Sequence, residues 1–152
     1  MGNVSPTPRV LIVDDEELIR RVGARMIRAR FGADVVEALG GMHALSLWRR
    51  DPQAFDVIVI DLDMPEMDGV TLLSRLERLA PDVPVVVWSG RELDPAPPEL
   101  AAAAALVSKA QPVAALIDAL ERTMGTSLRR SGARMRPQAF QDAPVKRVVN
   151  GE

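Results

Sequence analysis

The chain has 152 residues, 47% of them hydrophobic and 26% charged, with a formal net charge of −2, which suits one domain able to bury a core without covalent staples. It contains no Cys and a single His, so disulfides, thiolate metal sites, a Cys nucleophile and a poly-His metal centre are excluded, and a Ser-His-Asp triad is disfavoured. The longest apolar runs, such as VPVVVW, are far below the ~20 residues that span a bilayer, and MGNVSPTPRV has no apolar signal stretch, so a soluble cytoplasmic protein is expected.

Residues 1–8 read as a flexible N-terminus. Residues 9–13 (RVLIV) form a short β-rich run stopped by acids, and from Glu16 to Phe31 the residues Leu18, Ile19, Val22, Met26, Ile27 and Phe31 fall at helical spacing. Gly32 follows as a C-cap. Residues 34–37 (DVVE) predict a second strand, and residues 42–50 a short helix with Ala44, Leu45, Leu47 and Trp48 inward. Residues 56–60 (DVIVI) are nearly all apolar, the pattern of a strand buried on both faces. A helix over 70–79 turns Leu72, Leu73, Leu76 and Leu79 inward, and residues 84–88 (PVVVW) make another buried strand. A short helix over 98–104, a last strand at Leu106 and Val107, and a final helix over 112–124 with Pro near its start complete the body.

Charge is unevenly placed. Residues 1–124 hold 13 Lys/Arg against 19 Asp/Glu, and residues 125–152 hold 6 against 2. The tail, GTSLRRSGARMRPQAFQDAPVKRVVNGE, lacks a helical or strand period and reads as a basic, disordered extension. Only Phe140 could stack on a base, so nucleic acid is not an expected partner.

Five strands alternating with five helices predict an α/β fold, a doubly wound parallel sheet with right-handed crossovers. In such sheets ligands sit beyond the carboxyl ends of the strands. The residues at those ends are Asp14 and Asp15, Asp61, Ser89 and Lys109. Three carboxylates in one crevice repel one another unless a cation neutralises them. Hard oxygen ligands without His or Cys select Mg²⁺ over zinc. Lys109 is one of two Lys in a chain with 17 Arg among its 19 basic residues, and a compact ammonium is not interchangeable with a guanidinium beside a phosphoryl group. Together these groups are the parts for phosphoryl transfer onto an Asp. Asp61, alone at the tip of the central buried strand, is the candidate nucleophile. An Asp after a strand also serves as a helix N-cap, Ser89-Gly90 also suits a turn, and Lys109 also suits a solvated strand end. Their joint placement on one rim favours the functional reading.

The segments VLIVDDEELIR, DVIVIDLDMPEMDG, VPVVVWSG and LVSK, within residues 9–124, resemble a receiver domain of the response regulators of two-component signalling. The resemblance implies a flavodoxin-like strand order 2-1-3-4-5. It implies that Asp61 accepts a phosphoryl group from a sensor histidine kinase or phosphotransfer protein, and that Asp14, Asp15, Asp61 and the backbone carbonyl of Asp63 hold Mg²⁺. Lys109 would pair with Asp61 and then with the phosphoryl oxygens, and Ser89 would swing to the phosphoryl group as a switch. The chain departs from the family at Leu106, where an aromatic is usual, and at Ala110, where a Pro after a cis bond is common. Asp63 adds a carboxylate near the site, with Arg91 expected to pair with it across the crevice. A stand-alone receiver is expected, acting on a downstream protein partner through the face of the fourth helix, last strand and last helix. Two rival readings stay open. One is a degenerate receiver used as a phosphorylation-independent docking module. The other is a haloacid-dehalogenase-like phosphatase, suggested by Asp61-x-Asp63 after a buried strand but opposed by the acid pair preceding the nucleophile. His43, on the second helix, is expected to face water, and Met64 and Met67 to pack.

Overall fold

A computed structural model of the chain describes residues 7–130; the start of the expected N-terminal arm, and the expected tail from residue 131 on, lie outside the described residues. The strands are β1 (Arg9–Val13), β2 (Asp34–Ala38), β3 (Val57–Ile60), β4 (Val85–Ser89) and β5 (Ala105–Ser108). The helices are α1 (Glu17–Phe31), α2 (Gly41–Arg50), α3 (Gly69–Leu79) and α4 (Val113–Arg130). The strands form one parallel sheet in the order β2-β1-β3-β4-β5, the doubly wound order that the resemblance implies.

Alternation of side chains along each strand divides the core into two layers. Leu11, Val13, Ile58, Ile60, Val85 and Val87 face the side covered by α2 and α3, against Leu45, Trp48, Leu72, Leu73 and Leu76. Val10, Ile12, Val57, Val59, Val86 and Trp88 face the side covered by α1 and α4, against Ala24, Ile27, Leu116 and Leu120. The unbroken apolar strands are therefore buried on both faces, as parallel sheets require. Asp68 caps α3, its side chain accepting from the Thr71 N–H at 2.8 Å, and Gly32 ends α1 in the left-handed region at φ 59°.

The structure departs from the sequence expectations in four places. The fourth of the five expected helices is a 3-10 turn, Pro98–Leu100, so the described residues hold four α-helices. Between two prolines and the start of β5 there is room for fewer than two helical turns, too few to repay helix nucleation. Helix α4 runs six residues past its expected end at Met124, because Gly125 weakens a helix by ~1 kcal/mol without terminating it. Leu79 is exposed. On α1 the buried stripe is Arg20, Gly23, Ala24 and Ile27, while Leu18, Val22 and Met26 face outward, Leu18 with 76% exposure. Small residues at 23 and 24 let α1 lie close on the sheet, and Arg20 finds polar partners beneath the helix, so bulk does not decide which face turns inward. No helix among the described residues is long and apolar enough to cross a membrane.

Candidate functional site

The carboxyl edge of the sheet is built by β1, β3, β4 and β5. Asp14 and Asp15 follow β1, and the Asp14 N–H donates to the Ala38 carbonyl of β2 at 3.2 Å. Asp61 follows β3, its N–H donating to the Val13 carbonyl at 3.0 Å. Main-chain bonds thus carry the sheet register one residue past the strands and fix both carboxylates. The acid oxygens of Asp14, Asp15 and Asp61 lie within 4.8 Å of one another. Asp14 and Asp61 are buried and Asp15 is exposed, so the cluster opens to solvent on one side.

Lys109 reaches in from the end of β5. Its Nζ is 2.7 Å from Asp14 Oδ2 and 3.3 Å from Asp61 Oδ1. The nearer partner is Asp14, whereas the resemblance implied Asp61. Burial is the largest influence on Asp61 and pushes its carboxyl above the ordinary value; Lys109 opposes this and Asp14 adds to it. Burial alone would lower the Lys109 ammonium, but the hydrogen bond to Asp14 and the charges of Asp14 and Asp61 outweigh it, and the group is raised. The lysine is held charged by the carboxylates it bridges.

Ser89, the last residue of β4, is fully buried, and its Oγ accepts from the Arg91 N–H at 3.3 Å. Arg91 spans the mouth of the site to Asp63, with Nη2 2.6 Å and Nε 2.7 Å from Asp63 Oδ1. The loop after Asp61 is folded back tightly. Met64 and Met67 are buried, Glu66 has φ 67°, and the Gly69 N–H donates to the Leu62 carbonyl at 2.9 Å. A Cβ on Gly69 would overlap the Asp61 carbonyl, so this glycine is required by close approach. The Lys109–Ala110 bond is trans, the described residues having their cis bond at Asp94–Pro95. His43 is exposed, and its Nδ1 accepts from the Leu39 N–H at 3.0 Å.

Asp14 does not cap α1; its Oδ1 accepts from the Glu16 N–H at 2.9 Å, closing the loop beneath the acid cluster. Arg20, which sequence reasoning missed, donates from Nη1 to the Asp14 carbonyl at 2.9 Å and from Nε to Glu37 on β2 at 3.2 Å. Its signal was faint: an Arg four residues before Ala24 on a helix with several outward arginines. Three carboxylates with no nitrogen or sulfur donor suit a hard divalent cation, so the residues present fit Mg²⁺.

The sequence matches the response regulator receiver domain family over residues 10–121. It is 39% identical over 88 residues to sensor kinase CckA of Brucella abortus, an alignment covering 58% of this chain and 9% of that protein. It is 40% identical over 101 residues to protein-glutamate methylesterase/protein-glutamine glutaminase 5 of Anaeromyxobacter dehalogenans, covering 66% of this chain and 27% of that protein. The chain thus spans a small part of either relative. Among solved structures, response regulator protein TrrA from Thermotoga maritima, in complex with Mg²⁺-BeF, superposes with a TM-score of 0.70 at 20% identity, covering 77% of this chain and 99% of that one.

Proposed function

The chain belongs to the response regulator receiver domain family of two-component signalling, and on that premise we propose that it takes a phosphoryl group from a sensor histidine kinase or phosphotransfer protein onto Asp61 and thereby switches its binding to a downstream protein. An Asp61 carboxylate oxygen attacks phosphorus while the phosphorus–nitrogen bond of a donor phosphohistidine breaks, the electron pair leaving on the imidazole. Water later cleaves the acyl phosphate, returning the carboxylate and inorganic phosphate. Asp14, Asp15, Asp61 and the backbone carbonyl of Asp63 would hold Mg²⁺, which when bound neutralises charge on the phosphoryl oxygens. Lys109 turns from the carboxylates to those oxygens. Ser89 swings to hydrogen-bond the phosphoryl group and carries the loop after β4 with it. The response face is made by the 3-10 turn, β5 and α4, with Leu106 in place of an aromatic. The setting is cytoplasmic, and no reaction on a separate substrate is assigned to the chain.

The observation that carries this reading is the convergence of Lys109 with Asp14 and Asp61, at 2.7 and 3.3 Å, beside Asp15 in the same cluster. The Mg²⁺-BeF complex described for TrrA supports the choice of cation and ligand. Incubation with acetyl phosphate and Mg²⁺ is expected to add the mass of one phosphoryl group to the protein, and to add nothing to Asp61→Asn or in the presence of a chelator. Absence of any gain on the parent protein would leave the phosphorylation-independent docking reading in its place.

A further inference from the structure

We propose that Trp88 is a positioning residue for the Lys109 ammonium, a role that rests on the phosphoacceptor reading above. Lys109 Nζ lies 5.6 Å from the centroid of the Trp88 ring, inside the ~6 Å over which a cation is drawn to the negative face of an indole. Trp88 is buried in the layer covered by α1 and α4, and the Lys109 side chain is only 11% exposed, so water screens the contact weakly.

The fold makes room for this ring. A Cβ on Gly23 of α1 would lie 2.8 Å from Cζ3 of Trp88 and 2.9 Å from Cδ1 of Ile12. Bulk on β4 is thus matched by a missing side chain on α1. Both ends of the contact are tied down by backbone: Trp88 pairs with Val107 across β4 and β5, and the Lys109 N–H donates to the Ser89 carbonyl at 2.8 Å. The ring lies beside the ammonium because the register puts it there.

An aromatic face does something here that an aliphatic side chain cannot. It attracts the ammonium without using any of its three N–H donors, which remain available for Asp14, Asp61 and phosphoryl oxygens. Asp14, the nearer partner of Lys109, is also one of the three carboxylates suited to a cation. A cation held by Asp14 would compete with the lysine for that carboxylate, and the indole would give the ammonium a second support while it stays near Asp61. Trp88 acts through Lys109, which makes it a positioning residue and not a catalytic one.

The test compares the rate of mass gain from acetyl phosphate and Mg²⁺ in the parent protein, Trp88→Phe and Trp88→Leu. Trp88→Phe, which keeps a ring, is expected to stay within about threefold of the parent, and Trp88→Leu to fall about tenfold. A second arm does not depend on Trp88→Leu folding. Trp48 lies in the other core layer, so Trp48→Phe leaves Trp88 as the sole indole of a chain with two Trp. Its emission during Mg²⁺ titration is expected to change in Trp48→Phe and to stay constant in Trp48→Phe/Lys109→Met, with Mg²⁺ binding in both verified by a rise in melting temperature. Equal emission changes in those two proteins would overturn the proposal, as would equal rates for all three of the parent, Phe and Leu proteins, or equal losses for Phe and Leu. No mass gain on the parent would overturn the phosphoacceptor reading, and this role with it; a normal gain unaffected at Trp88 would overturn this role alone.

Discussion

At Asp61 burial and a neighbouring Asp14 favour the protonated carboxyl, while Lys109 favours the ionised one, and the balance raises its pKa above the ordinary 3.8. A carboxyl raised in the folded state contributes stability that is fully present below 3.8 and is lost as pH rises through the folded value. Ionised Asp61 is therefore a liability at neutral pH. Asp61→Asn is expected to raise the melting temperature at pH 7 in Mg²⁺-free buffer, with a gain that shrinks as pH is lowered toward 3.8; a gain independent of pH would contradict this. Lys109 works in the opposite sense. Its pKa is raised, so its stabilisation is present at neutral pH and is lost only as pH rises past the ordinary 10.5. Lys109→Met leaves two buried carboxylates facing each other and is expected to cost about 3–5 kcal/mol in urea unfolding at pH 7. Asp63 sits outside this core of charges, half exposed and bound to Arg91. Asp63→Asn releases the guanidinium toward the phosphoryl group and is expected to lengthen the acyl-phosphate lifetime by up to about fivefold, the scale of an exposed ion pair. Equal lifetimes in variant and parent would refute it.

At the scale of elements, the contact between α1 and β4 decides how the helix sits. Gly23 faces Trp88 and Ile12 with no space for a methyl group, so Gly23→Ala is expected to destabilise the protein by about 1–3 kcal/mol through overpacking. The loss should shrink when Trp88→Phe is added, because a smaller ring restores the space and neighbouring substitutions are not additive. Unchanged urea midpoints for Gly23→Ala would show that the helix can shift freely. The same contact explains why the apolar spacing of α1 does not predict its buried face. Leu18, Val22 and Met26 have the spacing of an inward stripe, but the facing surface rewards Gly23 and Ala24, and Arg20 is buried because Glu37 and the Asp14 carbonyl receive it. Neither fact is local. Strands β3 and β4 and helix α3 were legible because continuous apolar runs and leucines at helical spacing mean the same thing in almost any context. The 98–104 segment was not, since its alanines favour a helix that the distance from Pro97 to β5 cannot accommodate.

For the whole molecule, a parallel sheet with Asp14, Asp61, Ser89 and Lys109 near the ends of its strands places groups up to 95 residues apart against one another. Which residues share that edge was readable from the sequence, because strand ends and topology determine it. Which of them touch was not: the 2.7 Å bond from Lys109 goes to Asp14, and no spacing in the sequence marks Arg20 as a partner of the Asp14 carbonyl or Trp88 as a neighbour of the Lys109 ammonium. The strand order itself came from family resemblance and not from periodicity. The most direct test of the assembled site is chemical trapping. The protein is incubated with acetyl phosphate and Mg²⁺, reduced with borohydride, which converts an aspartyl phosphate to homoserine with release of phosphate, and mapped by peptide mass spectrometry. Homoserine at position 61, and at no other aspartate, is the predicted result; homoserine at a different aspartate, or at none in a protein that retains its fold, would contradict it.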